Sequence, residues 1–89
     1  MNWESLRYWL EQKYIVDKSE PRGKVCLSIG LGSNNAIEIE EFHNAVYFTY
    51  MEWDETGGVI AEETLFVMYE PTNVTVFSQA KSLVSDYEL

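Results

Sequence analysis

His43 and Cys26 are the only histidine and the only cysteine of an 89-residue chain that carries fifteen carboxylates. An imidazole beside a thiol or hydroxyl can act as the base of a nucleophilic pair. Here His43 follows Glu40-Glu41-Phe42 at an expected turn between strands, and neither Cys26 nor any serine stands in a nucleophile motif. His43 therefore reads as a loop residue partly paired with a nearby glutamate. Cys26 lies in the apolar run Val25-Cys26-Leu27-Ser28-Ile29, with only Arg22 and Lys24 as nearby cations, and reads as a small buried or half-buried strand residue. One histidine and one cysteine cannot complete the four-ligand nitrogen and sulfur site that zinc takes within one chain.

Gly30-Leu31-Gly32-Ser33-Asn34-Asn35 has two glycines of a phosphate-cradling loop. It lacks the third and any P-loop lysine, and the segment after it reads as strand, so no helix N-terminus is there to hold an anion. Asp54-Glu55-Thr56-Gly57-Gly58 lacks the ligand spacing of a calcium loop. Paired-carboxylate hydrolysis needs a substrate cleft for which short loops leave little room. No catalytic residue, metal ligand or cofactor is expected, and the chain does not read as an enzyme.

What remains is the stretch IEIEEFHNAVYFTYMEWDE, residues 37–55, in which carboxylates alternate with apolar and aromatic side chains and no lysine or arginine occurs. Residues two apart on a strand are roughly 6.6 Å apart on one face. Glu38 and Glu40 thus form a short comb beside Glu41, and the neighbouring hairpin adds Glu52, Asp54, Glu55, Glu62 and Glu63. Tyr47, Tyr50, Trp53 and Tyr69 are the aromatic anchors such a rim would surround. The same residues serve two purposes on sequence grounds: a solvated negative face that protects sheet edges, or a docking face for a basic protein, nucleic-acid-binding proteins included.

These residues need a scaffold. Trp3, Leu6, Leu10 and Tyr14 recur at helical spacing, with Asn2 as N-cap and Lys13 suited to the last turn, which predicts a helix over 3–14; Trp9 falls off the stripe. Residues 17–23, DKSEPRG, read as a loop. From Val25 the period changes to two, through Leu27, Ile29 and Leu31, and Gly32-Ser33-Asn34-Asn35 supplies residues that tolerate positive φ in a tight turn. The chain returns through 36–40 with Ile37 and Ile39 inward and Glu38 and Glu40 outward. Ala45 to Trp53 is apolar on both faces, with Val46, Phe48 and Tyr50 on one and Tyr47, Met51 and Trp53 on the other. A loop at 54–58 leads to a partner strand, Val59 to Tyr69. Residues 73–77 are β-branched yet continue into a helical pattern, so a helix from Thr72 or Asn73 to about Tyr87 is expected.

The sum is one α+β domain over 1–89: an N-terminal helix, a four-stranded antiparallel meander and a C-terminal helix. Net charge is −9, and no basic residue lies between Val25 and Ala80, which disfavours direct binding to nucleic acid or to an anionic membrane. No apolar run approaches the roughly 20 residues of a membrane span, and Met1-Asn2-Trp3-Glu4 lacks the features of a signal peptide, so a cytoplasmic location is expected. The functional expectation is a small acidic interaction module of inhibitor, immunity or adaptor type that docks a basic partner through the 38–63 region. The alternative is a small-ligand binder or minor enzyme with a cleft between the helices and the aromatic sheet face, into which groups such as His43 and Tyr47 converge. Homodimerisation through the sheet or an edge strand follows if Tyr47, Met51 and Trp53 stay uncovered by the chain's own helices.

Overall fold

The structure, a computed structural model, describes residues 2–87. Helix α1 runs Trp3–Glu11, opened by the Asn2 side chain, which accepts from the Ser5 N–H at 3.1 Å. Trp3, Leu6 and Leu10 are buried along it. It ends at Glu11 rather than Tyr14: the amides of Lys13 and Tyr14 both turn back to the Leu10 carbonyl, and the β-branched pair Ile15-Val16 draws the chain into extended backbone. Lys13 is thus outside the helix, its ammonium 5.5 Å from the Tyr14 ring centre.

That extended backbone is a fifth strand. β1 spans Ile15–Ser19, where a loop was expected from Asp17, and pairs antiparallel with β2, Cys26–Gly30, through Val16↔Ile29 and Lys18↔Leu27. Its polar composition suits an edge. Lys18 lays its stem toward the helix side and pairs its ammonium with Glu4 of α1 and, at 3.6 Å, with Glu20. β3 (Asn35–Phe42), β4 (Ala45–Trp53) and β5 (Val59–Tyr69) follow, and α2 covers Asn73–Tyr87. The sheet is an antiparallel meander in the order β1-β2-β3-β4-β5. Thr72 caps α2: the Thr75 N–H donates to the Thr72 hydroxyl at 3.2 Å, and the Thr72 N–H donates to the Thr75 hydroxyl at 3.0 Å. Residues 73–77 are therefore helical despite their branching.

None of residues 32–35 takes the positive φ expected of that turn. Asn35 instead opens β3, buried, with its amide donating to the Tyr50 hydroxyl at 3.2 Å, and backbone bonds Leu31 N–H to Asn35 O and Trp53 N–H to Asn34 O hold the bend. Positive φ falls at Arg22 (57°) and Gly23 (76°) before β2, at His43 (54°), in the two-residue link between β3 and β4, at Gly57 (90°) and at Glu70 (49°).

Both helices lie on one face of the sheet. Leu27, Ile29, Ile37, Ile39, Val46 and Phe48 are fully buried there against Leu6, Leu10, Val76, Ala80, Leu83 and Val84. Trp9, off the main stripe, stacks on Phe77 of α2 at 6.1 Å. Among the described residues the opposite face of the sheet carries no helix.

Candidate functional site

Strict alternation along β2, β3 and β4 gives the helix-free face its side chains. The register sets Glu38 between Ser28 and Thr49, and Glu40 between Cys26 and Tyr47. β5 joins through a bulge. Phe48 faces Phe66 but Thr49 faces Thr64, so Leu65 is an extra residue and the strand changes face there. Without the bulge Glu62 would share the helix side with Phe66. With it, Glu62 stands opposite Met51 on the helix-free face, where its charge reaches Glu38.

Three carboxylates therefore converge on one sheet face, and the strands bring no cation to balance them. Lys18 is the only lysine or arginine in the five strands, and it belongs to the other side. Partial burial, then Glu40, then Glu62, push the Glu38 carboxyl above its ordinary value of 4.5. The Cys26 thiol lies against Glu38, Sγ to Oε2 3.9 Å, and is pushed up to about 11 by burial and by the charges of Glu38 and Glu40. A thiol held there stays protonated at neutral pH and packs against the Glu38 carboxyl.

Beside Glu40, Phe42 and Tyr47 meet edge to face at 5.8 Å, and with Glu40 they line a shallow recess of about 260 Å³. Two ring faces and a carboxylate suit the end of a lysine or arginine side chain. Phe42 was not among the expected site residues, yet its place in the alternation with Glu38 and Glu40 marks it.

The expected site residues divide by face. Glu38, Glu40, Tyr47, Trp53 and Glu62 share the helix-free face. Glu41 lies on the helix side, where it accepts from the Trp3 indole N–H at 2.7 Å and anchors α1. Tyr50 also faces that side, its ring 5.1 Å from that of Tyr87, with Glu52 and Glu63 in the same row. Asp54 builds its own turn: its carboxylate accepts from the Thr56 N–H, the Thr56 hydroxyl and the Gly58 N–H at 3.0, 2.7 and 2.9 Å, and these bonds lower its pKa. Glu55 is exposed in that turn.

His43 and Tyr47 do not converge. His43 packs against Phe42 at 4.4 Å and lines an open depression with Trp3, Glu41 and Pro71 on the helix side, whereas Tyr47 faces the helix-free side. A different cleft of about 380 Å³ lies between the end of α2 and the sheet, with Tyr50, Tyr87, Glu52 and Asp86 in its walls. Among the described residues no group of three or more His, Cys, Asp or Glu could hold a metal ion, and no helix is long and apolar enough to cross a membrane. Comparisons with protein-family models, with curated proteins and with solved structures return no match.

Proposed function

We propose that this protein is a non-enzymatic interaction module of inhibitor, immunity or adaptor type, located in the cytoplasm, that docks a basic protein on the helix-free face of its sheet. The observation that carries the reading is the convergence of Glu38, Glu40 and Glu62 on a half-exposed aromatic surface with no cation on any strand beside them. Glu40 and Glu62 raise the cost of ionising the partly buried Glu38, and a lysine or arginine placed among them offsets that cost. Tyr47, Phe42 and Met51 supply apolar contact, and the outer carboxylates steer the approach. A partner that normally holds a phosphate backbone has the charge to fit, while nucleic acid itself and anionic membranes are repelled.

The test is a pull-down from native lysate at low salt, with a parallel high-salt wash, using wild type and a Glu38→Lys/Glu40→Lys variant shown by circular dichroism to be folded. A single basic protein held by wild type, released by salt and lost in the variant is expected. Retention of the same protein by the variant, or in high salt, rejects electrostatic docking on this face.

A second reading has its own observation. In the 380 Å³ cleft the Asn35 amide donates to the Tyr50 hydroxyl, which in turn reaches Glu52 at 3.5 Å, so polar groups converge beside two tyrosine rings. Two rings and two carboxylates suit a small organic cation. Tyr87→Ala should abolish such binding and leave the pull-down unchanged.

A further inference from the structure

The two edges of the sheet are built differently. β1 has five residues, among them Asp17 and Lys18, and its lysine guards it. β5 has eleven residues, VIAEETLFVMY, and is hydrogen-bonded only to β4, so one whole side of its backbone is unpaired by the sheet. Residues 59–64 are exposed throughout, which leaves both faces of that half uncovered, and Val59 and Ile60 stand 55% and 61% exposed. Long apolar edges are normally blunted with lysine, proline or bulges; β5 has neither lysine nor proline, and its two bulges, at Ile60 and Leu65, leave the run Ala61–Thr64 between them open as regular strand. Its only charges are Glu62 and Glu63. Being adjacent, they point to opposite faces, Glu62 opposite Met51 and Glu63 opposite Tyr50.

We propose that β5 receives a sixth strand, an extended segment of the basic partner that carries two adjacent basic residues flanked by apolar ones. The proposal rests on the docking reading above and adds how the partner is gripped. Main-chain hydrogen bonds along β5 supply the hold, and alternate side chains supply the selection. An added strand reaches Glu62 from one face and Glu63 from the other only with cations at neighbouring positions, and its apolar flanks cover Val59, Ile60 or Phe66. A second copy of the chain fits less well, because β5 paired with its own copy gathers four glutamates and brings no cation from either strand.

The probe is a short synthetic peptide with a central Lys-Lys pair flanked by valine and isoleucine, compared with two versions N-methylated at alternate backbone nitrogens. Only one of those alternate sets can face β5, and N-methylation keeps the charge while removing the donor. Binding is followed by fluorescence anisotropy, and β5 amide exchange by NMR. The unmodified peptide should slow exchange of the outward β5 amides, one N-methylated version should bind at least about tenfold more weakly, and the other should bind as the parent does. Equal affinity of all three peptides overturns strand addition; if that affinity still falls with Glu38→Lys/Glu40→Lys, the docking reading stands without it. Failure of the parent peptide to bind at low salt, while the native partner is retained, also overturns it. So do slow β5 amides in a peptide-free dimer, for then a second copy holds the edge.

Discussion

β3 and β4 build two unlike surfaces from one backbone. On the helix side Ile37, Ile39, Val46 and Phe48 are fully buried and meet their counterparts from both helices. One residue along, on the other side, Glu38, Glu40, Tyr47, Thr49 and Met51 are only half-buried and meet one another. The first surface is complete in itself, with its polar neighbours Glu41 and Tyr50 already bonded or stacked. The second holds like charges that nothing in the strands neutralises. Three carboxylates gather there around aromatic side chains, and a bulge delivers the third.

The largest effect that separates the faces is on stability. Phe48→Ala should cost about 3 to 5 kcal/mol and Leu6→Ala about 2 to 5, whereas Tyr47→Ala, on the open side, should cost about 1 kcal/mol or less. Urea denaturation reads all three, and a Tyr47→Ala loss equal to that of Phe48→Ala would mean the second face is covered after all. Charge reversal at Glu40 and Glu62 works the other way: the fold should persist, and association with the proposed basic partner should slow by about tenfold or more at low salt. An unchanged association rate in stopped flow would break the contrast between the faces.

The smallest effect belongs to Glu38. Because its folded pKa lies above the unfolded value near 4.5, its contribution to stability is present below that value and is lost as pH rises through the raised folded value. Glu38→Gln should therefore stabilise the free protein at neutral pH by less than about 1 kcal/mol, since a half-exposed carboxylate is screened, and should do nothing in acid. A gain that persists in acid would point to packing and not to charge.

Much of this architecture is legible in the sequence because its periods are clean. The Trp3, Leu6, Leu10 stripe, the alternation through β2, β3 and β4, and the two faces of β4 all follow from spacing. β1 does not, since Asp17, Lys18 and Ser19 look like a loop unless Glu4 is known to wait for the Lys18 ammonium. The acidic and aromatic character of 38–63 was legible, but not which of its residues share a face. Counting carboxylates along 38–63 joins residues from both faces, and the placement of Glu62 and Glu63 depends on the bulge at Leu65, which leaves no mark in composition. The exposure of β5 was not legible either: its spacing marks it only as the partner of β4, and how far the two helices reach over it shows only in the fold.

Since strand order follows chain order, each ladder closes a short loop, and the sheet can zip hairpin by hairpin at small entropic cost. The helices meet last in sequence terms: the Asn2 N–H donates to the Asn73 side chain at 2.7 Å across nearly the whole chain, and Trp9 finds Phe77 in the same closure. Trp9→Ala should thus speed unfolding and leave the folding rate near wild type, a partition that a chevron plot resolves. Until that closure the future core of the sheet is bare. Carboxylates on the other side of the same strands then repel neighbouring half-built molecules, so the charge of that face also protects the newborn chain from its own copies.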